Sequence, residues 1–315
     1  MTHCSAQTVG VDISKINLDV HVYPSGVTAC FANDAAGHRA LITWLAGQAV
    51  QRVVFEATGA YHRGFERSLA AAGLPMAKIN PRQARRFAEA AGKIAKTDAI
   101  DAAMLARFGA LLAPEIRQPV SQTLDEMREL LNAKNALMKD RTATLNRQKH
   151  LRNAILKRLT AHRLRQINGQ LRTIEAALAA LCQADAALQA RFDILLSIPG
   201  IGAATALTML IEMPEIGMLE APQAASLAGL APVARESGNW KGKRTIRGGR
   251  TNLRRAIYMP ALVAIRFNPD FKAKYQAMLK AGKPPKVAIT AIMRKIVLLA
   301  NALLKANRKW QPKTA

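Results

Sequence analysis

"TVGVDI", residues 8–13, sets how the chain is to be read. Its β-branched and apolar residues predict a short buried strand, and Asp12 stands at the end of that strand. "NLDVHVY" (17–23) alternates apolar and polar, as a half-exposed strand does, and "VTACFAN" (27–33) reads as a third strand. Short polar turns join the three into an antiparallel meander. "AAGHRALITWLAGQ" (35–48) predicts a helix, and "RVVFEA" (52–57) a fourth strand that ends near Glu56. A helix over "YHRGFERSLAAAG" (61–73) and a fifth strand over "LPMAKIN" (74–80) follow. Pro81 then opens the helix "PRQARRFAEAAG" (81–92), because proline is favoured in a first helical turn. One more helix starts near Asp98 and runs to about Leu112.

Three strands, helix, strand, helix, strand, helix is the element order of the ribonuclease H-like α/β fold. In that fold strands one and four are neighbours, so Asp12 and Glu56 are expected at one edge of the sheet. "KTDAIDAAMLA" (96–106) brings Asp98 and Asp101 to the same place from the last helix. Positions i and i+3 share a helix face, and two carboxylates there repel unless a cation lies between them. The plainer alternative is a capped, solvated helix N-terminus. Four carboxylates on strand ends and one helix face suit two Mg2+ ions, since hard cations take oxygen ligands. Two such ions about 3.5–4 Å apart clamp the attacking and leaving oxygens of a phosphoryl transfer.

The charge points the same way. The 315 residues carry 46 basic and 21 acidic side chains, a formal charge of +25, which calls for a polyanionic partner, nucleic acid before an anionic membrane. Residues 1–113 hold +4, residues 114–190 hold +6 and residues 191–315 hold +15, so the last third is the main electrostatic footprint. Cys4, Cys30 and Cys182 show no C-x-x-C spacing, which argues against disulfides and a zinc cluster and fits a reducing cytosol. The start lacks a basic, apolar signal-peptide pattern. "VAITAIMRKIVLLANALL" (287–304) is interrupted by Arg294 and Lys295, so it reads as a buried or amphipathic helix and no membrane partner is expected.

"APEIRQP" (113–119) closes the first domain, 1–113. In the second, 114–190, Leu124, Leu131, Met138 and Leu145 repeat every seven residues, and Leu164, Ile167, Leu171, Ile174, Leu178 and Leu181 fall on alternating three- and four-residue steps. That pattern predicts an antiparallel coiled-coil hairpin with basic outer faces. The third domain, 191–315, opens with "LLSIPGIGAATALTMLIEM" (195–213), whose glycine-rich turn between helices is like a helix-hairpin-helix that offers backbone N–H groups to phosphate. It continues through "RESGNWKGKRTIRGGRTNLRR" (235–255), with eight basic residues against the single acid Glu236, into a helical remainder. Ser237, followed by glycine, is a candidate nucleophile, and Lys241, Lys243, Arg244, Arg247, Arg250 and Arg254 are candidate phosphate contacts. No general base is evident beside the serine.

"VGVDISK" (9–15), "FEATGAYH" (55–62), "KINPRQARRFAEAAGKIAKTDAIDAAMLA" (78–106), "IPGIG" (198–202) and "SGNWKGKRTIRGGRTNLRRAIY" (237–258) together resemble the DEDD transposases of bacterial insertion sequences, the IS-one-ten family with its Coxiella-type subgroup. The resemblance implies a RuvC-like N-terminal domain, a coiled coil and a helical transposase domain. It implies that Asp12, Glu56, Asp98 and Asp101 bind Mg2+, with Mn2+ as a substitute, and that Ser237 attacks DNA to form a covalent 5′-phosphoserine link. Where the family commonly reads Ile-Ser-Lys-x-Gly, this chain has Thr245, Ile246, Arg247, Gly248 and Gly249, which keeps a basic side chain. The resemblance further implies guidance by a structured bridge RNA that pairs with donor and target DNA, homo-oligomers up to a tetramer whose protomers share active sites, and a bacterial cytoplasmic, nucleoid-associated setting. The rival enzyme reading is a metal-dependent nuclease of the Holliday-junction-resolving kind, which needs no serine. A sugar-kinase-like ATPase is disfavoured by the charge and by the lack of a second D-x-G-x-T loop. A non-catalytic RNA-binding protein is disfavoured by the intact acids and serine.

Overall fold

The computed structural model describes residues 7–56, 59, 61–92, 98–116, 121–234, 236–238, 240–242 and 244–312, with backbone alone at 98–100, 236, 240 and 241. The architecture is mixed α/β and mostly helical. Two compact units divide the chain, Met1–Pro119 and Val120–Ala315.

The first unit contains β1 (Gln7–Ile13), β2 (Asn17–Tyr23), β3 (Thr28–Ala32), α1 (Ala35–Leu45), β4 (Val50–Glu56), α2 (His62–Ala71), β5 (Met76–Ile79), α3 (Pro81–Ala90) and α4 (Asp98–Leu112). The sheet order is β3-β2-β1-β4-β5, antiparallel through β3, β2 and β1 and parallel through β1, β4 and β5. The meander and the pairing of strands one and four are those expected from the sequence. Asp34 caps α1 by accepting from Gly37 N at 2.8 Å, and Asn80 caps α3 ahead of Pro81.

Strand alternation gives the sheet two buried faces. Val9, Val11, Ile13, Val53 and Phe55 pack with Leu41, Leu45, Phe65 and Leu69 of α1 and α2. Val54, Ala77 and Ile79 pack on the other face with Leu105 and Phe108 of α4. Gly10 belongs to this second face, and a Cβ there would overlap the Ala102 carbonyl oxygen and the Ala106 backbone nitrogen. Further along the helix, a Cβ on Gly109 would strike Thr8 Cγ2 at 2.6 Å. The order Gly10 with Ala102 and Ala106, then Thr8 with Gly109, shows that α4 runs antiparallel to β1.

The second unit contains α5 (Gln122–Gln148), α6 (Ala154–Ala184), α7 (Ala186–Leu196), α8 (Ala203–Glu212), α9 (Ala221–Leu227), the short strands β6 (Pro232–Val233), β7 (Glu236–Ser237), β8 (Trp240–Lys241) and β9 (Thr245–Ile246), then α10 (Thr251–Phe267), α11 (Pro269–Lys280) and α12 (Pro285–Lys305). Helices α5 and α6 form a hairpin, tied by Lys134 to Glu175 at 2.8 Å. Leu124, Met127 and Leu131 pack with Leu178, Cys182, Leu188 and Ile211, so the base of the hairpin joins α7 and α8 in one core. Beyond that core the repeat is buried on one side only: Ile167 and Leu171 of α6 are buried, whereas Met138 and Leu145 of α5 are 41% and 38% exposed. Periodicity marks a face, but only a facing apolar surface buries it.

The larger core gathers α7, α8, α10 and α12 around Leu195, Ile198, Met209, Leu210, Ile257, Ile292 and Ile296. Helix α12 has the length and apolarity of a membrane span, yet more than half of that stretch is buried within the unit, so here it is a core helix. In the turn between α7 and α8, Gly200 has a φ of +94°, and a Cβ there would meet Pro260 O of α10 at 2.9 Å. Glycine at 200 thus serves both the left-handed backbone and a close approach to a neighbouring helix.

Candidate active site

Asp12 follows Gly10 by two residues, so it lies on the α4 face of β1, about 6.6 Å further along the strand. Glu56 follows Val54 in the same way on β4, and parallel pairing of Val11 with Phe55 sets the two acids level. Asp98 precedes Ala102 by four residues, about 6 Å along the helix towards its N-terminus. The antiparallel run of α4 therefore brings its first turn, with Asp98 and Asp101, to the strand ends that carry Asp12 and Glu56. The Asp98 side chain lies outside the described residues. Asp12, Glu56 and Asp101 are each engaged by a neighbouring group.

A further carboxylate went unread in the sequence. Register pairs Asp19 of β2 directly with Asp12. Like charges opposite each other on one sheet face repel, and a cation between them would relieve that cost. On the far side of Asp19, its cross-strand partner Cys30 bonds it, and local desolvation and the Asp19 carboxylate together push the Cys30 thiol up. The signal for Asp19 was its alternation parity in "NLDVHVY", which becomes informative only when the register of the first turn is known.

These donors are carboxylate oxygens, the kind that hard divalent cations take. Among the described residues, no group of three or more His, Cys, Asp or Glu comes together closely enough to hold an ion. The donor chemistry of Asp12, Glu56 and Asp101 suits a divalent cation, but their described side chains are not gathered into an ion site.

Asn33 and His38 brace this edge. Asn33 Nδ2 donates to Ser14 O at 2.7 Å and to Tyr61 O at 3.3 Å, which ties the turn after Asp12 to the start of the helix after Glu56. With its amide committed, Asn33 Oδ1 accepts from His38 Nε2 at 2.9 Å. His38 Nδ1 lies 3.0 Å from Ser68 Oγ. Burial pushes His38 below the usual histidine value, and Asp34 acts against that shift. In the same α1–α2 layer, Lys78 donates to both oxygens of Glu66 at 2.8 Å.

In the second unit the basic stretch around Ser237 includes a small ribbon. β6 pairs with β9, and β7 with β8 inside it, all antiparallel. Ser237 is exposed at the inner pair, opposite Trp240, where Gly238 has a φ of +54°. Among the described residues no base hydrogen-bonds to its hydroxyl. At the foot of the ribbon, Gly249 packs so closely on Gly229 that a Cβ would overlap that residue's backbone, and Arg250 N donates to Leu227 O at 2.8 Å.

The six candidate phosphate contacts divide. Arg247 is exposed on the ribbon side of Gly248. Arg244 is exposed and already engaged by a neighbouring group. Arg250 is bound through both terminal nitrogens to Glu215 at 2.7 Å. Arg254 Nη1 holds Gly248 O at 2.7 Å and Gly229 O at 3.3 Å. These two guanidiniums thus anchor the ribbon, work that residue type alone did not reveal. The Lys241 side chain and all of Lys243 lie outside the described residues.

Comparison with known proteins now adds lineage to geometry. The DEDD transposase family of IS110 matches residues 9–157, and the transposase IS116/IS110/IS902 family matches residues 192–276. The chain belongs to the IS110 transposase family. It is an enzyme that acts on DNA, as the basic footprint and the strand-end acids led one to expect. The pilin gene-inverting protein of Moraxella lacunata is 29% identical over 96% of this chain and 97% of its own length, and that of Moraxella bovis is similar to the same extent. An uncharacterized 42 kDa protein of insertion element IS900 from Mycobacterium paratuberculosis is 34% identical over 41% of this chain and 35% of its own. Among solved structures, RuvC of T. thermophilus in complex with a Holliday junction substrate aligns over 34% of this chain and 94% of its own, with a TM-score of 0.27 and 13% identity.

Proposed function

We propose that this IS110 transposase is a DNA recombinase that cuts and rejoins strands through a covalent phosphoserine at Ser237. The proposal extends to a ribonuclease H-like first unit, a divalent cation, preferentially Mg2+, and guidance by an RNA encoded with the element. The observation that carries it is the common level of Asp12 and Glu56 on adjacent parallel strands, with the first turn of α4 at the same edge. Asp12, Glu56, Asp98 and Asp101 would hold the cation, with Asp19 alongside. When bound, it supplies positive charge to the phosphate oxygens during transfer.

Chemically, the Ser237 oxygen attacks the scissile phosphorus. The Oγ–P bond forms and the P–O3′ bond breaks, so the 5′ end becomes attached to serine. The hydroxyl proton is lost, and the leaving 3′ oxygen gains one. Attack by a 3′ hydroxyl of another strand reverses the sequence and restores the serine. One phosphodiester exchanges for another, so no external energy source is needed. The exposed ribbon suits such a nucleophile, since it must reach a bulky duplex. Rejoining rather than cutting alone is favoured by the Moraxella relatives, which are named for inverting a gene. Exposed Arg244 and Arg247 would hold phosphate, and the α5–α6 hairpin would act as a coiled-coil arm towards nucleic acid or a second copy in a dimer or tetramer.

The test is recombination in vitro with donor DNA, target DNA and the RNA flanking the element. Wild type forms recombinant junctions, and Asp12→Asn, Asp101→Asn and Ser237→Ala abolish them while DNA binding persists. Junctions formed by Ser237→Ala would overturn the covalent route, and undiminished yield without RNA would overturn guidance.

A further inference from the structure

Helix α10 buries one face and leaves the other bare. Leu253, Ile257, Ala261 and Ala264 lie in the core of the second unit, where α10 packs with α8, α11 and α12. On the solvent side, Arg255, Met259 and Arg266 lie at steps of four and seven residues, so they form one line along the helix. At about 100° per residue, Tyr258 flanks that line on one side and Val263 and Phe267 flank it on the other. Met259 is 60% exposed and Phe267 70%. A lone exposed apolar side chain is ordinary. Tyr258, Met259, Val263 and Phe267 are instead gathered within about three turns and bounded by two arginines, which makes a surface.

Charge decides what this surface fits. Helix α10 carries Arg254, Arg255 and Arg266 and no acid. Arg254 is occupied, because its Nη1 holds Gly248 O at 2.7 Å and fixes the foot of the ribbon to the first turn of the helix. Among the described residues no carboxylate pairs with Arg255 or Arg266. Acids near the N-terminal end are already held, Glu212 by Asn252 at 3.0 Å and Glu215 by Arg250 at 2.7 Å. A second copy of this face would set arginine against arginine. A polyanion answers both arginines, which stand about 16 Å apart along the helix. The Arg266 guanidinium also lies over the Phe267 ring, 5.3 Å from its centre. Guanidinium planes and aromatic rings are the surfaces on which unpaired bases stack.

A duplex hides its base faces and offers phosphates, so the apolar part of the surface gains nothing from it. An unpaired strand offers both. We infer that the exposed face of α10 binds single-stranded DNA, with bases laid on Tyr258, Met259, Val263 and Phe267 and phosphates held by Arg255 and Arg266. At about 3.4 Å per stacked nucleotide, the span between the two arginines takes about five nucleotides. The face begins at the foot of the Ser237 ribbon, so it receives a strand opened beside that ribbon. This assignment rests on the enzyme acting on DNA and is independent of Ser237 as the nucleophile.

The experiment measures binding of the full-length chain to a labelled oligothymidylate, which forms no hairpin, over about 50 to 200 mM salt. Tyr258→Ala/Phe267→Ala is expected to weaken binding at least about tenfold and to leave the log–log salt slope unchanged, because stacking is lost while phosphate contacts stay. Arg255→Ala/Arg266→Ala is expected to flatten that slope by about 1.4, at about 0.7 for each single-strand phosphate contact. Equal losses on single strand and duplex would overturn the assignment to unpaired DNA. A loss confined to a matching RNA strand would overturn the assignment to DNA. If the aromatic variant lowers the mass by light scattering yet binds the strand as wild type does, the face belongs to a second copy and the proposal fails. Photocrosslinking of wild type needs no variant: a strand carrying 5-bromouracil is expected to attach at Tyr258 or Phe267, and adducts only on other helices would overturn the site. A wild type that binds neither strand nor duplex would sink the proposed recombination as well, whereas a wild type that binds beside two unaffected variants would sink the α10 face alone.

Discussion

Gly10→Ala tests how the acidic edge is assembled. The added Cβ would overlap the Ala102 carbonyl oxygen and Ala106 nitrogen and lie 3.0 Å from Ala106 Cα. All three are backbone atoms, so no rotamer change relieves the clash. Restoring ordinary contact, about 3.5–4.0 Å, requires α4 to retreat from β1 by about 1.5 Å. Overpacking of this kind costs about 1–3 kcal/mol. For a unit of this size that cost lowers its melting temperature by about 5–10 °C. The larger effect falls on chemistry, because the retreat separates Asp98 and Asp101 from Asp12 and Glu56. A misplacement of about 1 Å costs roughly 100-fold in rate. Strand cleavage well below the melting transition should therefore fall by at least that factor, while duplex binding through the second unit is retained. Gly47→Ala is the control, since a Cβ there meets nothing within 4 Å, and its stability should change by less than about 0.5 kcal/mol. Wild-type melting and wild-type cleavage in Gly10→Ala would refute the packing of α4 on β1 as the source of the site.

Other perturbations follow from the same geometry. Burial holds His38 below the usual histidine value, so the unfolded chain takes up a proton before the native one does as pH falls through about 6.5. Stability should then decline below that pH, and His38→Gln should flatten the melting-temperature profile between about pH 6.5 and 5. Parallel profiles would contradict this. Arg250→Ala should destabilise the second unit by about 1–2 kcal/mol, because it leaves Glu215 without its two-pronged partner. Arg250→Lys should not recover the loss in denaturant melts, since an ammonium cannot make both bonds.

Much of the first unit was legible because strand patterning and the positions of Asp12 and Glu56 are local properties. Gly10 and Val54 share strand parity with the two acids, and small residues recur at Ala102, Ala106 and Gly109. Together these announce a close strand–helix seam, and they were open to reading. Asp19 was not, because its place opposite Asp12 depends on the register that the intervening turn sets. The ribbon around Ser237 escaped notice for another reason: each of its strands is two residues long, too short for a periodic signal. Arg250 and Arg254 looked like phosphate contacts because their partners, Glu215 and the Gly229 carbonyl, are remote in sequence. The exposed heptads at Met138 and Leu145 show the converse limit, since a repeat predicts a face without saying what lies against it.

The most direct test of the account is the search for a covalent protein–DNA adduct. Purified protein is mixed with labelled donor DNA, the flanking RNA and Mg2+, then resolved on a denaturing gel beside Ser237→Ala. The account predicts a shifted, protein-bound label with wild type alone. Cleaved DNA with free 5′-phosphate ends and no adduct, equally from both proteins, would contradict it and leave a metal-dependent nuclease in its place.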